Sequence, residues 1–369
     1  MKRVLIFHIS DFGGHSKAAQ NIKEALLYRK PDLAVRSLNG FGYFYPWSER
    51  FVDAVYAFVI KHVSWLWGRL YDRKTLVRRL NPFRACINRL TFSKLSALID
   101  EFRPDCFIAT QAFPCGIVAD FKASHSLDIP LLAVVTDYHP HRFWIHPAVD
   151  KYIVACDAAR ESLVAEGVAA SKIELLGIPI SVKFMTACSR IEAAADFGLR
   201  ADVPTVLIMG GGWGLGPMEK IASQLDALPG TFQMIIVCGK NKKLYSWFKK
   251  HTSTFTKPIT CLAYTDAIAR LMDCADIIIT KAGGITISEA LAKGLAIVTI
   301  QPIPGQEEHN VRYLSSRGAI VHADGIPAVI RSVEDLLGDR QKLSVLKLNA
   351  RKVSFIDSSL RIADMVLGL

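Results

Sequence analysis

The chain has 369 residues, 51% of them hydrophobic and 21% charged, which excludes a disordered protein and exceeds what one typical core needs. Forty-five basic against 34 acidic side chains leave a formal charge of +11, which implies an anionic partner: nucleic acid, anionic lipid or a phosphorylated substrate. Eight cysteines include no C-x-x-C pair, so neither a zinc site nor a thioredoxin-type motif is indicated, and a reducing cytosol is expected.

The amino terminus, MKRVLIFHIS, starts as a strand and lacks the apolar core and cleavage site of a signal peptide. No run of about 18 uncharged apolar residues occurs, so no membrane-spanning helix is expected. Apolar, β-branched runs predict strands at 3–9, 33–38, 105–110, 130–136, 151–156, 204–209, 232–238, 259–263, 275–280, 295–300 and 318–322. Helical patterns lie between most of them, as at 15–28, 215–227 and 285–293. That alternation means α/β units around doubly wound parallel sheets. The pattern restarts at VPTVLIMGGG (203–212), as at the amino terminus. We therefore expect a first domain over 1–184, a second over 203–354, and a helical tail within 341–369. Two such domains would leave a cleft between the carboxyl ends of their strands.

Three glycine-rich turns each follow a predicted strand and open a predicted helix: DFGGHSKAAQ (11–20), MGGGWGLGPMEK (209–220) and TKAGGITISEA (280–290). A helix start offers unpaired N–H groups and a positive dipole end, and glycine lets an anion approach. None continues into Gly-Lys-Ser/Thr, so none is a P-loop. At the third turn Gly283, Gly284 and Thr286 stand at the helix start. A diphosphate would sit on the amides of 284–287, with Glu289 in the first helical turn reaching two ribose hydroxyls.

Residues 41–94 crowd aromatics and then bases. Trp65, Trp67, Arg69, Arg73, Lys74, Arg78 and Arg79 stand out, and Asp72 is the one acid between 61 and 94. Tryptophan favours the lipid headgroup level and basic side chains favour anionic lipid, so this stretch reads as an interfacial membrane face. Packing of its aromatics into the first domain's core is the competing reading. A second basic stretch, Lys240 to Lys257, either faces lipid or is simply solvated.

Several segments together carry a family resemblance. KAGGITISEALAKGLAIVTIQPIPGQEEHNVRYL (281–314) resembles the nucleotide-sugar signature of the monogalactosyldiacylglycerol synthase family, which includes processive diacylglycerol glucosyltransferases. DFGGHSKAAQNIKEAL (11–26), VVTDYHPHRFWIHPAVDKYIVACD (134–157), GIPI (177–180) and LIMGGGWGLGPMEK (207–220) resemble its other conserved segments in the same order. Phe12 stands where the family often has a first glycine. The resemblance implies a GT-B fold, two Rossmann-like domains with a carboxy-terminal helix (355–369) returning to the first. It implies inverting transfer of a hexose, glucose or galactose, from a UDP-sugar to diacylglycerol or a glycosyl-diacylglycerol at the cytoplasmic membrane face.

In-line displacement needs stabilisation of the leaving diphosphate, a base and a held acceptor. The first falls to the amides of Gly283 to Thr286, supported by Gly211 and Gly212. With no Asp-x-Asp in a suitable loop, no metal or other cofactor is required. Gln306 and Glu307 would read sugar hydroxyls, with Asn310 a further candidate. Asp137, at the end of the strand VVTD, and His15 are the two candidates for the base; burial would raise the carboxyl pKa towards a useful range. Gly13, Gly14, His141, Trp144 and His146 match the family's first-domain loops. Other readings of the same residues are an N-acetylglucosaminyltransferase acting on a polyprenyl-linked precursor, a non-catalytic UDP-sugar sensor and a sugar-nucleotide epimerase.

Overall fold

The computed structural model of the protein describes residues 2–10, 13–45, 91–302 and 305–369. They form two compact units: Met1–Val182 with Ile303–His309 and Asp357–Leu369, and Lys183–Pro302 with Asn310–Ile356.

The first unit runs β1 (Arg3–His8), α1 (Gly14–Arg29), β2 (Ala34–Asn39), α2 (Gly40–Phe44), α3 (Phe92–Phe102), β3 (Cys106–Ala109), α4 (Ala112–His125), β4 (Leu131–Val134), β5 (Lys151–Val154), α5 (Asp157–Ala165) and β6 (Ile173–Leu175). The second runs α6 (Arg190–Asp196), β7 (Thr205–Met209), α7 (Met218–Asp226), β8 (Gln233–Val237), α8 (Lys242–His251), β9 (Ile259–Leu262), α9 (Ile268–Cys274), β10 (Ile277–Thr280), α10 (Gly284–Lys293) and β11 (Ala296–Ile300). It continues with α11 (Gln306–Ser316), whose first turn counts with the first unit, then β12 (Ile320–Ala323), α12 (Ile326–Gly338) and α13 (Arg340–Lys352). The last helix, α14 (Ser358–Gly368), belongs to the first unit.

Each unit holds a six-stranded parallel sheet, ordered β2-β1-β3-β4-β5-β6 and β12-β11-β10-β7-β8-β9. The central strands are wholly buried: VLIF of β1, CFIA of β3, LLAV of β4, TVLIM of β7 and IIIT of β10. A parallel sheet covered on both faces requires such unbroken apolar strands, which is why they were legible in the sequence. All eleven predicted strands are present. The twelfth, β6, is only Ile-Glu-Leu, too short to leave a pattern.

The expected return of the carboxy-terminal helix is also present. Leu360, Ile362, Ala363 and Val366 of α14 join Val4, Ile6, Ile22 and Leu26 in one core. Ser358 Oγ donates to Ile178 O (2.8 Å), Lys2 Nζ to Val366 O (2.8 Å), and Arg29 pairs with Asp364 (2.8 Å). The tail expected to be helical over 341–369 is two helices, broken at Val353–Asp357.

The membrane-facing candidates Trp65, Trp67, Arg69, Arg73, Lys74, Arg78 and Arg79 lie outside the described residues. Of the aromatics just before them, Phe41 stacks on Phe113 (4.4 Å, 5°) and Phe44 on Phe7 (5.9 Å), so these two serve the first unit's packing. Among the described residues no helix is long and apolar enough to cross a membrane.

Candidate active site

In doubly wound sheets ligands bind beyond the carboxyl ends of the strands, where the strand order reverses. In the first unit that point lies between β1 and β3. The chain leaves β1 through Ser10, held at φ 55°, and reaches α1 through Gly13 at φ 151° and ψ −178°, a conformation reserved for glycine. Gly13 and Gly14 are exposed. Backbone strain thus gathers at this strand end.

His15 sits in the first turn of α1. Its Nδ1 lies 2.9 Å from Thr110 O and 2.9 Å from Thr136 Oγ1, and Thr110 Oγ1 donates back to His15 O at 2.9 Å. A carbonyl can only accept, so Nδ1 carries the proton and Nε2 the lone pair. Although the residue as a whole is half-buried, its imidazole is desolvated. Burial pushes the pKa down to about 4; the Thr110 carbonyl opposes this and His8 adds to it. His15 is therefore a neutral imidazole of fixed tautomer. Thr110 and Thr136, which orient it, were missed in the sequence; Thr136 lies inside the VVTD run, whereas Thr110 carried no signal.

Asp137 follows β4 by three residues and is 5% exposed. Gln306 Nε2 donates to its Oδ2 at 2.5 Å. Three residues along α11 His309 stacks on His139 with ring centres 4.2 Å apart, so the first turn of α11 meets the loop after β4 at two points. The residues beyond Asp137 divide. The His141 ring lies against Phe143 and Trp144, and burial, then His15 and His139, push its pKa down to about 3. Trp144 is 2% exposed, and the buried His146 packs on Gly116 with Nε2 3.0 Å from Phe143 O. Trp144 and His146 thus shape the loop from within.

In the second unit the order reverses between β7 and β10. Here the structure corrects the sequence reading. The helix expected at 215–227 begins at Met218, so Gly211 and Gly212 lie in a loop and have no helix start behind them. That loop is folded on itself: Leu215 N donates to Gly210 O, Gly214 N to Gly211 O and Lys240 N to Gly212 O. A Cβ at Gly210 would stand 1.9 Å from Leu215 O, and one at Gly214 2.0 Å from Cys238 O, so packing alone requires these two glycines. Gly211 is required by its φ of 68°. At Gly212 an added Cβ meets nothing and φ is ordinary.

After β10 the expected helix start is present, with Gly283 as N-cap and Gly284 as first residue of α10. The amide of Ile287 is taken by Gly283 O at 3.1 Å, so the candidate anion-binding set narrows from 284–287 to Gly284, Ile285 and Thr286. Glu289 is the sixth residue of α10, in its second turn instead of the first, and is 6% exposed. It stands close enough to Tyr264 to raise that phenol's pKa, after desolvation and Asp266. Asn310, fully buried, donates Nδ2 to Ala282 O at 2.9 Å and so anchors the turn that presents these amides. Glu307 is buried in the first turn of α11. Gln301, which ends β11 at φ 47°, carried no sequence signal. Among the described residues no three His, Cys, Asp or Glu side chains gather as metal ligands do.

Comparison with known proteins places the chain in a family. Residues 15–180 match the monogalactosyldiacylglycerol (MGDG) synthase family, and residues 205–353 match the glycosyltransferase family 28 C-terminal domain. The processive diacylglycerol beta-glucosyltransferase of Bacillus licheniformis is 32% identical over 266 residues, 72% of this chain and 69% of its own. The protein of that name from Bacillus subtilis is 31% identical over 274 residues, 74% and 71% of the two chains. Among solved structures, Acinetobacter baumannii MurG aligns over the whole of both chains with a TM-score of 0.68 at 16% identity. UDP-GlcNAc 2-epimerase from Neisseria meningitidis does so at 0.63 and 13%. Likeness at that identity establishes the GT-B fold and leaves the reaction open. The sequence matches close that gap: the chain belongs to the monogalactosyldiacylglycerol synthase family of glycosyltransferases.

Proposed function

We propose that this protein transfers glucose from UDP-glucose to diacylglycerol, and then to the glucosyl-diacylglycerol so formed, at a membrane surface and with inversion at the anomeric carbon. The glucosyltransferase relatives support the donor and the acceptor. The observation that carries the mechanism is the hydrogen bond from Gln306 to Asp137. It joins the residue assigned to sugar hydroxyls directly to a buried carboxylate at a strand end.

In this reading Asp137 takes the proton of the acceptor hydroxyl. The hydroxyl oxygen bonds to C1 as the C1–O bond to the diphosphate breaks, and UDP leaves with the electron pair. The charge gathering on UDP falls on the amides of Gly284, Ile285 and Thr286, held in place by Asn310, with Gly212 open to the ligand. Glu289 receives the ribose. Because α10 supplies the positive end, a divalent ion is not needed to balance that charge. His15 stays neutral and contacts the ligand through Nε2; burial pushes its pKa down to about 4, which makes it a poor base.

The test is UDP release with UDP-glucose or UDP-galactose, each with and without diacylglycerol in anionic vesicles, in EDTA. Release that requires UDP-glucose and lipid together is expected. Release with UDP-galactose alone corrects the sugar, and donor binding without lipid-dependent release overturns the acceptor.

A further inference from the structure

Helix α8, on the second unit, is amphipathic in an unusual way. Leu244 and Phe248 are buried against the core, while Lys242, Lys243, Ser246, Lys249 and Lys250 are exposed. Between Asp226 and Asp266 the sequence holds six lysines and no acidic residue. A solvated helix face usually mixes charges or finds them on a neighbour: on α13, whose own sequence is also basic, Lys347 pairs with Asp276 from outside the helix (2.8 Å). Lys242, Lys243, Lys249 and Lys250 meet no carboxylate among the described residues, so the surface keeps an uncompensated positive field.

Aromatic groups accompany the charge. Half-buried Trp247 stacks on His251 (4.5 Å) on the same open face of the helix as Lys242, Lys243, Ser246 and Lys250. The loop 210–216 is tied to the helix cap, since Asn241 Nδ2 donates to Gly214 O (3.2 Å). That loop exposes two large apolar side chains, Trp213 at 52% and Leu215 at 48%. Lysines beside exposed tryptophan and leucine match the headgroup layer of an anionic bilayer, where lysine is drawn to the lipid charge and indole prefers the interface. Nucleic acid would be gripped by the same charge, and the oligonucleotide measurement below separates it from lipid.

We propose that the exposed face of α8, with the neighbouring loop 210–216, docks the second unit onto anionic phospholipid. The inference rests on the reading that the acceptor resides in a membrane, and it adds a contact on the unit that binds the donor.

The experiment is flotation of the full chain with phosphatidylglycerol–phosphatidylcholine vesicles and with phosphatidylcholine alone, beside the variant K242E/K243E/K249E/K250E. A second variant with glutamine at the same positions guards against misfolding by charge reversal, and thermal melting checks both. Binding to the anionic vesicles should fall at least about tenfold in each, and binding to phosphatidylcholine should stay weak throughout. Binding within about twofold of the parent overturns the proposal, as does unchanged vesicle binding with lost affinity for a single-stranded RNA oligonucleotide. Turnover with diacylglycerol in neutral detergent micelles separates this from the activity. Both variants should match the parent there; a parent inactive in micelles and vesicles alike defeats the glucosyltransferase reading while leaving the docking result intact.

Discussion

The two sheets carry different chemistry at the carboxyl ends of their strands. The first offers titratable side chains: His15 between two threonines after β1, and Asp137 under Gln306 after β4. The second offers main chain: a self-bonded glycine loop after β7 and the bare amides of α10 after β10. On the proposed mechanism the difference is a division of labour. Proton transfer needs a group that changes charge, which only a side chain supplies, whereas a leaving diphosphate needs donors that are already fixed, which a helix start supplies.

The comparison breaks most visibly at Asp137. Replacing it by asparagine keeps the volume and removes the proposed base, so kcat should fall by about 10²–10⁴-fold while UDP affinity stays within about twofold. Steady-state kinetics and calorimetric UDP titration check this. Near-normal turnover would pass the role to His15.

Within the second unit the glycines separate by cause. Gly214→Ala forces a Cβ to 2.0 Å from Cys238 O at φ 58°, and overpacking with left-handed strain should cost about 2–4 kcal/mol in denaturant unfolding. Gly212→Ala meets nothing, so stability should move by less than about 1 kcal/mol while the KM for UDP-glucose rises. A KM that does not move would show that the open face at Gly212 is not the ligand's. Asn310→Ala leaves Ala282 O buried without that donor, at about 1–3 kcal/mol, and loosens the α10 start, so its KM effect should accompany a stability loss.

Legibility in the sequence followed the same division. Buried parallel strands announce themselves, because both faces must be apolar, and the central strands were visible for that reason, while the half-buried edge strands β2 and β9 were visible from shorter apolar runs. Edge strand β6, with its central Glu174 half-buried, was not. Residue types at the site were legible from the motifs, but their geometry was not. Nothing in MGGGWGLG says that Pro217 delays the helix and leaves Gly211 and Gly212 in a loop. The second-turn position of Glu289 was legible, because six residues after Gly283 exceed one turn of about 3.6 residues; placing it in the first turn misjudged the spacing. The bond from Gln306 to Asp137 spans 169 residues, and a contact of that range has no local signature.

The smallest expected effect concerns pH, and it tests how completely the first unit's edge is withdrawn from water. His15 titrates near 4 when folded and near 6.5 when unfolded, so between those values the unfolded chain binds the extra proton. Stability from this group is complete above about pH 6.5 and is lost as pH falls towards 4; His141, near 3, acts with the same sign and extends the window downward. The melting temperature should therefore decline by a few degrees from pH 7 to pH 4.5, and His15→Gln should flatten part of that slope. The profile of kcat/KM should show no break near pH 6.5, because the imidazole is already neutral there. A break at that pH, abolished in His15→Gln, would mean that the free enzyme holds His15 in water and that its packing against Thr110 and Thr136 is not its resting state.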